Sequence, residues 1–211
     1  MDYLSSKKMK MKMKKLLILT VMASLSIACK AQDWALPQPQ KTGGKPLMEA
    51  LSERQSTREY SDRDLDEQTL SDLLWAAYGF NRDDKRTVPS ANDKQEFILY
   101  VVLKVGVYVY DAKANTLILK AKGDFRAKTG KQDFVAIAPL NLVYVADLTK
   151  RDAAGAIINV GYISQNVYLY CASAGLGTVA RGWFEKDELK AALLLSKTEE
   201  PILTQTVGYK K

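Results

Sequence analysis

The sequence predicts an α+β domain, and three observations carry the prediction. Before Gly79 the apolar residues recur at helical spacing. From Phe97 onward they run on continuously or alternate, as they do in strands. One late segment, Ala153–Ala174, is long and apolar on most sides. Helices and strands do not follow the regular rhythm of βαβ units, which argues against a wholly parallel sheet.

The elements follow in chain order. Met1–Lys15 is lysine-rich, Leu16–Ala28 is apolar, and small residues then lead into Gln32-Asp33. That is the pattern of a secretory leader spanning 1–31, with an apolar core too short to cross a bilayer comfortably. Cleavage after Ala31 gives a free chain. Ser26-Ile-Ala-Cys29 also resembles a lipobox, with Ser26 where leucine is preferred, so Cys29 either carries a lipid anchor or leaves with the leader. Both outcomes place the protein outside the cytoplasm, in the periplasm or cell envelope, and membrane attachment is expected only through Cys29. Residues 32–45, with Pro37, Pro39 and Gly43-Gly44, read as a flexible tether, and 46–211 as one folded domain.

Pro46 suits the first position of a helix that carries Leu47, Met48, Ala50 and Leu51 on one apolar side. Asp66 is placed to cap a second helix, with Leu70, Leu73, Leu74, Ala77 and Tyr78 as its buried stripe and Gly79 as its end. Phe97–Lys104 is a nearly unbroken apolar run of strand length. Val107–Tyr110 and Thr116–Leu119 flank Asp111–Asn115 as a hairpin. Leu140–Ala146 reads as a further central strand and Ala153–Ala174 as the core helix. Phe184–Leu195 reads as a shorter helix and Ile202–Tyr209 as a closing strand.

Composition narrows the chemistry. Of 31 basic and 24 acidic residues, the leader holds seven lysines and one aspartate, so the mature chain keeps 24 and 23, a net charge of +1. Such a balance supports neither a nucleic-acid partner nor a polybasic membrane surface. With no histidine in the chain, Ser-His-Asp and Cys-His catalysis are excluded, as are histidine-ligated metals; no metal site is expected. Cys171 lies inside the core helix and reads as packing, as do Tyr108, Tyr110, Tyr162, Tyr168 and Tyr170.

Three separated segments stand out. Arg54-Gln55-Ser56-Thr-Arg58-Glu-Tyr60 leaves a helix for extended chain, where Arg54, Ser56 and Arg58 face one way and suit a phosphate or a carbonyl edge. Pro89-Ser90-Ala91-Asn92 is a turn of small residues with exposed donors. Gly175-Leu176-Gly177 follows the core helix and lets backbone come close to something flat. Taken singly, a solvated charged face, a helix cap and a glycine stop account for them.

Together they resemble the nitroreductase family of flavoproteins, over about Pro46–Lys211. Leu73-Leu-Trp-Ala-Ala-Tyr-Gly79, Pro89-Ser-Ala91 leading to Leu99-Tyr-Val-Val102, and Val107-Tyr-Val-Tyr-Asp111 are most similar to the branch containing thiazoline/oxazoline dehydrogenases. The resemblance implies a central, mostly antiparallel sheet flanked by helices, in an intertwined homodimer with two FMN sites at its interface. It implies that Arg54, Gln55, Ser56 and Arg58 contact the flavin phosphate and the polar edge of its ring. Pro89, Ser90, Ala91, Asn92 and Gln95 line the ring from the partner. Ala180, Arg181 and Gly182, backed by Gly175, Leu176 and Gly177, supply backbone near the reactive nitrogen.

Two departures bear on phosphate. Asp93-Lys-Gln95 puts an aspartate where many relatives have asparagine, and the chain stops at Tyr209-Lys-Lys211 without their longer basic tail. Lys210 or Lys211, or Arg82 with Arg86, must then hold the phosphate. The implied activity is two-electron, ping-pong transfer through FMN to a small acceptor such as a nitroaromatic or quinone, with NAD(P)H as candidate donor. The flavin carries the chemistry, so no catalytic side chain is needed. Two alternatives stay open: azoline oxidation on a peptide, which the leader disfavours, and a non-catalytic flavin-binding module tethered to the envelope.

Overall fold

A computed structural model of the protein describes residues 32–211; the expected leader 1–31, with Cys29, lies outside them. At the centre of the fold are the two most apolar strands of the chain, β4 (Phe97–Leu103) and β7 (Leu140–Asp147), paired antiparallel from Phe97–Ala146 to Leu103–Leu140. Both faces of this pair are covered, which is why their sequences run on without polar alternation. Leu99, Val101, Leu142 and Tyr144 face one core with the long helix; Tyr100, Val102, Val143 and Val145 face the other. Fully burying each such side chain contributes about 1.5–3 kcal/mol, so this two-sided packing outweighs any single cap or surface ion pair.

The remaining strands extend the sheet to both sides. β5 (Gly106–Asp111) and β6 (Thr116–Lys122) form the expected hairpin, and Asp111 Oδ1 accepts from the N–H groups of Lys113 and Ala114 in its turn. Beyond β6 lies β1 (Trp34–Ala35); on the other side, β9 (Glu199–Tyr209) and then β8 (Leu176–Arg181) complete a seven-stranded antiparallel sheet in the order β1-β6-β5-β4-β7-β9-β8. A separate two-stranded ribbon joins β2 (Phe80–Arg82) to β3 (Lys85–Arg86).

Helices cover the faces. α1 (Leu47–Glu53) precedes α2 (Glu67–Tyr78), where Asp66 Oδ1 accepts from the Thr69 N–H at 2.8 Å and Gly79 closes the last turn onto the Trp75 carbonyl. α3 (Phe134–Ile137) is a single turn. α4 (Ala153–Ser173) is the long core helix, capped by Asp152 accepting from the Gly155 N–H. α5 (Lys186–Ala192) sends Leu189 into the opposite core, joined there by Leu193 just past its end.

Four readings are adjusted. The 32–45 segment, read as a tether, contributes β1 and a buried Leu36. The Pro37 carbonyl accepts from Ser71 Oγ and, at 2.7 Å, from Asn115 Nδ2, because a proline that cannot donate still accepts. α1 buries only Ala50, leaving Leu47 and Met48 exposed. The apolar girth of α4 is only partly spent inside, since Ile157, Ile158 and Tyr162 are exposed. Finally, of Gly175-Leu176-Gly177, which taken singly reads as a glycine stop after α4, only Gly175, at φ +70°, is the stop; Leu176 and Gly177 belong to β8.

Candidate functional site

The first candidate segment begins where α1 ends. The Arg54 N–H still donates to the Ala50 carbonyl, and the chain then turns out at ψ 119°. β8 is the last strand of the sheet, so its outer edge offers unpaired backbone groups. Thr57 meets that edge, while residues 59–61 pair with the C-terminal end of β9. The Thr57 N–H donates to the Thr178 carbonyl at 2.9 Å, the Ser61 N–H to the Tyr209 carbonyl at 3.0 Å, and Tyr60 bridges to Lys210. A Cβ on Gly177 would meet Thr57 at 2.8 Å and the Lys210 stem at 3.2 Å, so the glycine is what lets the segment close onto the strand.

The structure thus brings the first and third segments together. Along the joint, Gln55, Ser56, Arg58 and Lys210 are exposed and Arg54 is half-exposed, while Tyr60 and Gly177 are buried. Two guanidinium groups, a hydroxyl, an ammonium and Gln55 are thus accessible around the joint of this segment with β8 and the end of β9. Leu176 is core, and Gly182 has open space where a side chain would be.

Arg181 has a different task. Its Nη1 donates to the Thr129 carbonyl at 3.0 Å and its Nη2 to Asn141 Oδ1 at 2.9 Å, on the inner side of the sheet. Burial pulls its pKa down to about 10. Its guanidinium serves the fold, and its carbonyl accepts from Thr204 Oγ1 at 3.2 Å. Ala180 is also engaged: its N–H donates to the Tyr168 hydroxyl at 3.0 Å.

That tyrosine is the site residue sequence reasoning placed in the core. Its hydroxyl also lies 3.0 Å from Ser56 Oγ, and the Arg54 guanidinium sits over its ring at 5.3 Å. No local signal marks it out, since its partners are 12 and 112 residues away. Cys171, one turn further on α4, is buried, and desolvation pushes its thiol well above the ordinary range; it packs, as expected.

The Pro89–Gln95 turn belongs to a second cluster. Asn92, Asp93 and Gln95 have φ of 55°, 54° and 44°, left-handed values that non-glycine residues adopt only when held. The holding is visible: Ser90 Oγ accepts from the Gln95 N–H, Gln95 Nε2 donates to the Asp84 carbonyl at 2.7 Å, and Lys85 pairs with Asp93. Arg86 Nε donates to Gln95 Oε1 at 3.0 Å, while its guanidinium lies over Tyr78 at 4.3 Å and Phe80 at 4.0 Å. Gln95 and Arg86 therefore shape the turn. Arg82, Lys85, Pro89 and Ser90 line an open cleft of about 360 Å³ beside it, and Ala91 and Asn92 are exposed at its tip.

An antiparallel sheet backed by a long helix, whose edge presents converging cations and a hydroxyl, defines an α+β domain suited to holding an anionic small molecule. The comparisons make the class specific: the chain belongs to the nitroreductase family, whose model matches residues 51–209. A nitroreductase of Methanocaldococcus jannaschii is 33% identical over 183 residues, 78% of this chain and 91% of its own. The crystal structure of a nitroreductase from Ralstonia eutropha JMP134 superposes with a TM-score of 0.82 at 42% identity, over 88% of this chain and 92% of the other. At 20% identity the fold alone is shared with an FMN-dependent nitroreductase of Clostridium difficile R20291, with a TM-score of 0.58 over 78% and 87% of the two chains.

Proposed function

We propose that this nitroreductase-family oxidoreductase binds FMN noncovalently along the β8 edge and works by ping-pong electron transfer to a small acceptor, a nitroaromatic or quinone. The observation that carries the reading is the joint of the 54–60 segment with β8 and the end of β9, closed at Gly177, around which Arg54, Ser56, Arg58 and Lys210 are accessible. Guanidinium forks match phosphate and carbonyl oxygens in a bidentate manner, and a lysine adds a point charge, so the donor set fits an anionic ligand with a polar edge. When bound, FMN supplies alternating two-electron uptake and return. The protein's own residues bind and orient it, and their positive charge favours the more anionic, reduced form of the ligand. NADH or NADPH is the candidate donor.

Two further features support a homodimer as the working unit. The Pro89–Gln95 turn forms its own cluster, so a partner is the source from which it would complete the site. α1 packs against α4, and between them they expose Leu47, Met48, Ile157, Ile158 and Tyr162, the kind of apolar area that obligate interfaces cover. The leader read in 1–31 makes this an exported enzyme of the periplasm or envelope.

The test is direct. Purified mature protein is expected to absorb near ~450 nm and, on denaturation, to release FMN at about one per protomer. Release of FAD, or no flavin uptake from excess FMN, would overturn the reading.

A further inference from the structure

Tyr168 connects parts of the site that lie far apart in sequence. Its hydroxyl has two neighbours: the Ala180 backbone N–H and Ser56 Oγ, each at 3.0 Å. A backbone N–H can only donate. The phenolic oxygen accepts that bond and has one hydrogen of its own to place. In its contact with Ser56 either hydroxyl can be the donor. With the Ala180 N–H already on the phenolic oxygen, the direction from Tyr168 to Ser56 Oγ gives the phenol one accepted and one donated bond within the protein. In that direction Ser56, whose side chain is exposed, accepts from Tyr168 and keeps its own hydrogen for a group outside the protein.

From this we infer that Tyr168 is a positioning residue, one that makes Ser56 an outward hydroxyl donor to an acceptor oxygen of the bound flavin. The inference rests on the FMN reading above and extends it. The same arrangement withdraws the Ala180 N–H from the ligand, so acceptor atoms at this edge meet Ser56 and Arg54. The Arg54 guanidinium over the Tyr168 ring, at 5.3 Å, is steadied by the same side chain. One helical residue therefore orients two donors of a segment on the other side of the chain's middle, which an exposed serine on extended backbone could not achieve alone.

The experiment is a fluorescence titration of apoprotein with FMN and, separately, with riboflavin. Tyr168→Phe keeps the ring under Arg54 and removes only the hydroxyl, and it is expected to raise the FMN dissociation constant about tenfold. Ser56→Ala is expected to cost a similar factor in the wild type and little more in the Tyr168→Phe background, because the two act as one unit. Tyr170→Phe, whose hydroxyl donates to the Thr69 carbonyl instead, is expected to leave affinity unchanged. Loss for FMN alone assigns the acceptor to the phosphate; equal loss for riboflavin assigns it to the ring. Unchanged FMN affinity in Tyr168→Phe, additive losses for the two substitutions, or a Tyr168→Phe chain that does not fold would each overturn the inference while wild-type binding sustains the FMN reading. A wild type that binds no FMN overturns both.

Discussion

Arg54 and Arg181 show how two residues of one type come to opposite uses. Arg54 leaves a helix end half-exposed, stacked on Tyr168 and facing the β8 edge. Arg181 is buried and gives its hydrogens to Thr129 and Asn141. Replacing Arg54 by alanine removes a charge-assisted contact worth about 1.5–3 kcal/mol, so the FMN dissociation constant is expected to rise at least about tenfold with Tm unchanged. Unchanged affinity in a flavin titration would make Arg54 a surface charge. At Arg181 the expected readout is stability. A Cβ on Gly130 would lie 1.9 Å from Arg181 Nη1, a group that two hydrogen bonds keep from moving aside. Gly130→Ala should therefore destabilise by about 1–3 kcal/mol in urea. In an Arg181→Met background the penalty should shrink, since the atom it collides with is gone; equal penalties would refute the account. The Arg-x-Ser-x-Arg spacing made the exposed residues legible from sequence. Arg181 and Tyr168 were not, because their roles are set by partners on other elements.

Elements with a local cause were readable, and those completed from a distance were not. The cap of α2, the hairpin of β5 and β6, and the doubly buried β4 and β7 each state their structure within a few residues. β8 did not: its glycines read as a helix stop, and its outer edge is met by Thr57, more than a hundred positions earlier. β1 was hidden similarly, since its hold comes from Asp33 accepting from the Leu119 N–H and from the Pro37 carbonyl. The cap of α2 gives a prediction with a sign. The Thr69 N–H, then the Thr69 hydroxyl, hold Asp66 below the usual carboxylate range. A carboxylate depressed on folding stabilises fully above its unfolded pKa, and that contribution fades as pH falls through the lowered folded value. Asp66→Ala should cost about 0.5–2 kcal/mol at neutral pH. The gap from wild type should close as pH drops below about 4, the ordinary carboxylate range. A gap that persists at low pH would mean that the loss is one of packing.

At the scale of the whole molecule, the two clusters are held by different elements. The cationic edge lies along β8, while the Pro89–Gln95 turn is tied to β2 and β3 through Arg86, Asp84 and Lys85. On the homodimer reading a ligand is shared between two copies, and the exposed side of α4 is where the second copy would press. Ile157 and Ile158 are 62% and 64% exposed near the start of an apolar helix, an arrangement that water disfavours and a dimer relieves. Light scattering on the flavin-loaded protein is expected to give twice the protomer mass at micromolar concentration. Ile158→Glu places a charge into that contact and should yield monomers, since burying an unpaired carboxylate costs several kcal/mol. The variant also separates assembly from binding. If the partner's turn completes the site, the Ile158→Glu monomer should lose FMN affinity while its near-native circular dichroism shows the fold intact. A folded monomer that binds FMN as tightly as wild type would place the whole site on one chain and leave the partner no part in it.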